Sequence, residues 1–211
     1  MNQNIIKRNE LLAQKMIKEL ESRNMEAYYA ASKEEALAKA MELIPEGSSV
    51  TWGGSMSIQE IGLTKALHEG NYEVLDRDLY NTKEEKNEVA RKAFFCDYYL
   101  ASTNAISEDG VMVNIDGNAN RVAAIAFGPK NVLMIVGMNK VVKTEADAMS
   151  RAKNIAAPIN AQRFGATPCT VTGACSNCKS PTCICCQTLI TRFSLAPKRI
   201  KVILVNDDLG F

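Results

Sequence analysis

The chain has 211 residues, 46% of them apolar, with 25 Lys and Arg against 24 Asp and Glu for a net charge of +1. That length suits one sizeable domain with a full core, and the near-neutral balance leaves no field to grip nucleic acid or an anionic membrane. The opening MNQNIIKRNELLAQKMIKEL is interrupted by Lys and Glu too often for a secretory signal or a membrane span. A cytoplasmic setting is therefore expected, where disulfides do not persist and clustered cysteines bind metal or do redox chemistry.

In chain order, Asn9 to Asn24 puts Leu12, Met16 and Leu20 on one face, which predicts an amphipathic helix. Ser32 followed by Glu35 has the form of a capping box and opens a second helix through Leu43. Pro45-Glu46-Gly47 ends it. SSVTW then reads as a strand, Gly53-Gly54 as a tight turn, and a helix follows from about Ser57, with Ser57 and Glu60 forming a second capping-box pattern. YEVL (72–75) is a strand, Lys83 to Phe95 a helix, and DYYLAST (97–103) a strand.

GVMVNI, RVAAIAFG and NVLMIVG are three further strand candidates separated by short polar turns. Ala146 to Ile155 reads as a helix, and RIKVILV (199–205) as a closing apolar strand preceded by an irregular cysteine-rich insert. The early βα alternation implies parallel strands covered by helices on both faces, and the close-set later strands imply an antiparallel portion. The expected fold is α/β, three layers around a mixed sheet, in one domain spanning 1–211 with the insert at 167–187.

Free N–H groups at a helix N-terminus attract anions, and glycines let a ligand approach the backbone. Gly53, Gly54 and Ser55, at the end of a strand, are thus candidates for binding a carboxylate or phosphate. A plain βα turn is the competing reading, because no complete phosphate-loop pattern is present. STNAISEDG and NIDGNANR, also after apolar strands, carry Asn104, Glu108, Asp116, Asn120 and Arg121. Brought to one sheet edge they could orient a small polar substrate, with Arg121 clamping a carboxylate; as ordinary Asp-Gly and Asn-rich turns they need no function. Trp52, Met112, Met134 and Met138 read as packing, and His68 as a helix C-terminal residue.

Six of the seven cysteines fall between Cys169 and Cys186, in TPCTVTGACSNCKSPTCICCQ. C-x2-C at Cys175 and Cys178 can present two thiolates to one metal or cluster. With no histidine nearby, either an all-cysteine zinc site or an iron–sulfur cluster would take four of them, and a redox dithiol would leave the others unexplained.

WGGSMSIQEIGL, STNAISEDG, NIDGNANRVAAIAFGPKNVLMIVGMNKVV, PCTVTGACSNC and KVILVNDDLGF together resemble the LUD-domain family, the lactate-utilisation proteins, over nearly the whole chain. The resemblance implies a fold similar to the sugar-phosphate isomerase, CoA-transferase and 5-formyltetrahydrofolate cyclo-ligase class. Its cysteine-bearing branch resembles P-C-x5-C-x2-C followed by S-P-x3-C, which implies Cys169, Cys175, Cys178 and Cys185 as ligands of a [4Fe–4S] cluster or, alternatively, zinc. Cys183 and Cys186 depart from that pattern.

The resemblance implies a component of the oxidation of L-lactate to pyruvate, acting beside iron–sulfur partner subunits. It would bind a small carboxylate or phosphorylated metabolite and relay electrons through the cysteine centre, as an oxidoreductase component rather than a self-sufficient dehydrogenase. One alternative is a CoA-transferase- or isomerase-like enzyme with structural zinc, in which Glu108 or Asp116 is the nucleophile or base. Another is a non-catalytic module that senses redox state or metal. Neither nucleic acid nor membrane is an expected partner, and a homo-oligomer is left open.

Overall fold

The computed structural model describes residues 2–165 and 167–211. Helix α1 (Gln3–Ser22) starts earlier than its apolar stripe indicates, because Asn2 caps it through the Asn4 N–H, and it buries Ala13, Met16 and Leu20 along one face. Strand β1 (Glu26–Ala30), unremarked in the sequence, follows. Helix α2 (Lys33–Leu43) is capped by Ser32, whose Oγ accepts the Glu35 N–H at 3.3 Å. Glu35 reaches back to the Ala31 N–H. Next come β2 (Ser49–Trp52), α3 (Met56–Glu60), α4 (Leu63–Glu69), β3 (Glu73–Leu75), α5 (Lys83–Lys92) and β4 (Tyr98–Ala101).

The second half contains β5 (Ala105–Ser107), β6 (Met112–Asp116), α6 (Asn120–Ala126), β7 (Asn131–Gly137), β8 (Val141–Val142), α7 (Glu145–Arg151) and α8 (Ala157–Ala161). Between α7 and α8 the helix widens into a π-turn at Ala152–Ala156, just where Pro158 has no N–H for the carbonyl four residues before it. Helix α9 (Pro168–Thr172), β9 (Gln187–Thr191) and β10 (Ile200–Val205) complete the chain.

Six strands form one sheet in the order β1-β10-β7-β4-β2-β3, every pairing parallel. Its side chains alternate between two cores, as the two-residue period of a strand requires. Val132, Met134 and Val136 of β7, with Val202 and Leu204 of β10, meet Met16 and Leu20 of α1 on one face. Leu133, Ile135, Ile203 and Val205 meet Ala36, Ala40, Ile58, Leu63 and Leu67 of α2, α3 and α4 on the other. The result is the expected three-layer α/β arrangement, and each fully buried Leu, Ile or Met contributes about 1.5–3 kcal/mol.

The mixed strands lie elsewhere than expected. They form a second sheet, β8-β5-β6-β9, in which β5 pairs parallel with β8 and antiparallel with β6, and β6 antiparallel with β9. Ile106 and Met112 of this sheet join the α1 core, while Ala105 and Val113 pack on Ala148 and Ala152.

Two sequence expectations are corrected. RVAAIAFG is not a strand but mostly helix α6: the Asp116 carboxylate accepts the N–H groups of Arg121 (2.9 Å) and Val122 (3.2 Å), and Arg199 donates to the carbonyls of Ala124 and Ile125 at the other end. With both ends satisfied, an alanine-rich segment becomes helical. Ser57 and Glu60 form no capping box, because α3 begins one residue earlier and both side chains are directed to the chain's last residues.

Candidate functional site

After β2 the chain moves outward to β3, then returns to place β4 on the other side of β2. This reversal opens a crevice beyond the carboxyl ends of β2 and β4, where an open parallel sheet holds its ligand. Gly53–Ser57 leave β2 there, Ser102–Asn104 leave β4, Lys140 follows β7, and Leu209–Phe211 follow β10. All of these but Gly53 and Leu209, together with Arg121 and Asn160, line a cavity of about 80 Å³.

Cations converge on the Gly53-Gly54-Ser55 turn. A Cβ built on Gly53 would lie 2.9 Å from the Tyr99 hydroxyl and 3.3 Å from Arg121 Cδ; one on Gly54 would lie 3.0 Å from Arg77 Nη2. Arg163 donates to the Gly54 carbonyl at 3.1 Å. Among the described residues the cavity lining carries no Asp or Glu, and the buried Ser55 Oγ has no hydrogen-bond partner. An anion would satisfy the charge and that hydroxyl together. Because Tyr99 is fully enclosed, Gly53→Ala is expected to destabilise the fold by about 1–3 kcal/mol, measured by urea unfolding; unchanged stability would show that the turn has room to spare.

Arg121 is half-buried, its guanidinium set among neutral acceptors. Its Nη1 donates to Asn114 Oδ1 at 2.5 Å, and its Nη2 to Asn104 Oδ1 at 3.2 Å and to the Ile115 carbonyl. Burial pushes its pKa down, while Asp116 and Tyr99 act in the opposite direction. Lys140 is 3% exposed and donates to Ser57 Oγ and Ser102 Oγ, both at 2.9 Å. Burial, reinforced by Arg151 and Arg121, pulls its pKa down to about 7.

On the other side of β6 lies a second cavity, about 210 Å³, lined by Cys169, Cys175, Cys178, Cys183 and Cys185 with Ile115, Met149, Lys153 and Ile184. Gly117 is needed there, because a Cβ would meet the Ile184 backbone at 3.1 Å. The cysteine loop is tied to β6 by the Cys186 N–H donating to the Asp116 carbonyl at 3.0 Å, and to the π-turn by Lys153 donating to Asn177 Oδ1. Burial, with Cys183, Cys175 and Cys169 nearby, pushes the Cys185 thiol up to about 12. Cys186 is exposed and does not line the cavity. All seven cysteines are free thiols. Among the described residues no group of three or more His, Cys, Asp or Glu is placed to hold a single metal ion. A tetrahedral zinc would need sulfurs about 3.8 Å apart, given Zn–S bonds of about 2.3 Å.

The family model described as LUD domain matches residues 13–205. The chain belongs to the LUD-domain family. At the level of family it is thus a lactate-utilisation-type protein. Among solved structures, a crystal structure of a DUF162 family protein from Deinococcus radiodurans is similar over 93% of this chain and 98% of its own, with a TM-score of 0.54 and 14% identity. That likeness supports the α/β fold. No curated protein matches the chain. No helix among the described residues is long and apolar enough to cross a membrane.

Within this LUD domain, the structure brings Gly53, Gly54, Ser55, Asn104 and Arg121 to one crevice. Asp116 lies beside them but is occupied as the cap of α6, with its Oδ1 accepting the Asn118 N–H. Asn120 opens α6 and lines neither cavity. Glu108 is not brought to this group: it lies at the opposite, hairpin end of β5, ion-paired to Lys15 (3.1 Å) and Lys143 (2.7 Å). Those lysines hold its carboxyl below the usual range. Lys140 was missed. Its signal was a lone lysine in the apolar run NVLMIVGMNKVV, immediately after the central strand β7. Ser57 and Ser102 could not be found without the fold, and Cys183 lines the cavity although it falls outside the family-like cysteine pattern.

Proposed function

We propose that this LUD-domain protein is a redox component of L-lactate oxidation. It binds a small carboxylate in the cationic crevice and holds an iron–sulfur cluster at the cysteine cavity. The observation that carries the reading is the shared wall between the two cavities: Ile115 lines the cysteine cavity, while its carbonyl accepts from Arg121 in the crevice. A bound anion and a bound cluster would sit on the two sides of one strand.

The cysteine cavity favours a polynuclear cluster over zinc. Five sulfurs spread around 210 Å³ suit a group larger than one ion, and Lys153 on the rim would offset thiolate charge. Cys169, Cys175 and Cys178 would hold it, with Cys185 or Cys183 as the fourth ligand. Such a cluster supplies one-electron transfer. The residues of the crevice have their own task. Arg77, Arg121 and Arg163 offset the carboxylate charge, the Ser55 hydroxyl donates to it, and Asn104 and Asn114 fix Arg121 in place. A phosphorylated metabolite is a second reading of the crevice, because the Gly-Gly turn beside cations suits phosphate as well.

Lactate gives up two electrons, so iron–sulfur partner subunits are expected to take part. The test is iron and acid-labile sulfide analysis on protein purified without oxygen. About four of each per chain, with visible absorption that bleaches on reduction, is the expected result. Zinc without sulfide would overturn the redox reading in favour of a structural metal.

A further inference from the structure

The Lys140 amine has only hydroxyl partners among the described residues, and both hydroxyls have their own protons committed elsewhere. Ser57 Oγ donates to the Leu209 carbonyl and Ser102 Oγ to the Thr103 carbonyl, each at 3.4 Å. Both serine oxygens must therefore accept from Lys140. Among the described residues no carboxylate forms an ion pair with it. Glu60 is the acidic group near enough to matter, and its Oε2 takes the Gly210 N–H, while Arg121 and Arg151 face the amine from α6 and α7.

Two of its N–H groups are taken by the serines and the remaining tetrahedral position faces no protein acceptor among the described residues, so it is left to the cavity, where the neutral amine favoured by the lowered pKa presents a lone pair. The geometry is that of an amine held by two serines with one position left open to react. It stands on the wall of the same cavity that Arg121, Asn104 and the Gly54-Ser55 turn line.

Resting on the carboxylate reading of the crevice, we propose that Lys140 is a nucleophile there and that the ligand is a small 2-oxo carboxylate with which it forms an imine. Arginines match the carboxylate, the amine matches the adjacent carbonyl, and a cavity of about 80 Å³ restricts the carbon skeleton to a few atoms. In the step, the nitrogen lone pair attacks the carbonyl carbon. The oxygen then leaves as water, taking both amine hydrogens, and a C=N bond remains. No oxidant or reductant is consumed.

The experiment is incubation of the full chain with pyruvate and cyanoborohydride, which reduces an imine to a stable secondary amine, followed by intact mass and peptide mapping. One adduct at Lys140 is expected, lost to background in Lys140→Arg and unchanged in Lys65→Arg, a surface control with its side chain 78% exposed. Yield should fall about tenfold between pH 8 and pH 6, because protons fill the lone pair below the amine's pKa of about 7. Calorimetric titration with pyruvate runs in parallel. Absence of binding would overturn the carboxylate reading of the crevice. Binding without an adduct at Lys140, or adducts spread evenly over surface lysines, would overturn the imine and leave that reading standing. Should Lys140→Arg fail to fold, the peptide map of the unaltered protein decides alone.

Discussion

Arg121→Ala is expected to destabilise the protein by about 1–3 kcal/mol and to weaken carboxylate binding about tenfold or more. The stability loss follows from what the guanidinium satisfies: the buried Asn114 Oδ1 and the half-buried Ile115 carbonyl lose their donor, and Asn104 Oδ1 loses one of two. Asn104 also accepts the Ile115 N–H at 2.8 Å, so this side-chain amide adds to the backbone bonds that join the start of β5 to β6. Loosening it should loosen the wall between the two cavities.

Arg121→Lys separates the two roles, since it keeps a charge but cannot reach three acceptors in a plane. Stability close to that of the alanine variant with affinity close to native would show that charge binds the anion while geometry holds the fold. Urea unfolding and calorimetric titration at a temperature where the variants remain folded supply both numbers. Native affinity in Arg121→Ala would remove the side chain from the site and leave it a structural role.

The same residue shows where sequence reading stops. Asp116 and Arg121 stood out as a pair of polar groups near a strand end, but their relation is indirect: Asp116 receives the backbone N–H of Arg121, not its guanidinium. That one backbone hydrogen bond, with Arg199 closing the far end, turns an apolar run into α6. Arg199 lies more than seventy positions away, so periodicity could not see it. Strands whose two faces are both covered were easier, because β7 and β10 are apolar runs interrupted only by Asn131 and Lys201, and their ends coincide closely with NVLMIVG and RIKVILV.

The second sheet was harder to read, since β5 and β8 have three and two residues and their pairing with each other joins segments distant in sequence. Lys140 was illegible for a related reason. A lysine in an apolar run declares itself unusual, but only the sheet order brings Ser57 and Ser102 to its amine. The glycines after β2 were legible as a ligand approach, whereas the arginines around them, Arg77, Arg121 and Arg163, come from three separate places along the chain.

Cys175→Ser combined with Cys178→Ser is expected to reduce metal and sulfide content to background while leaving both sheets folded. The loop that carries these cysteines contributes no side chain to the two large cores, and it touches the rest through single contacts such as Cys186 with Asp116 and Lys153 with Asn177. Far-ultraviolet circular dichroism of the variant should therefore match that of metal-free native protein. Thermal stability should separate them from the loaded native form alone, because a group bound only by the folded state raises its melting point by mass action. Cys186→Ser, at an exposed thiol outside the cavity lining, should retain full metal content. Comparing Cys183→Ser with Cys185→Ser then assigns the fourth ligand: the true ligand's loss empties the site, whereas its neighbour's loss leaves it filled. Retention of metal by the double variant would remove the cysteine cavity as the centre, and collapse of its circular dichroism would make the segment a structural staple of the fold.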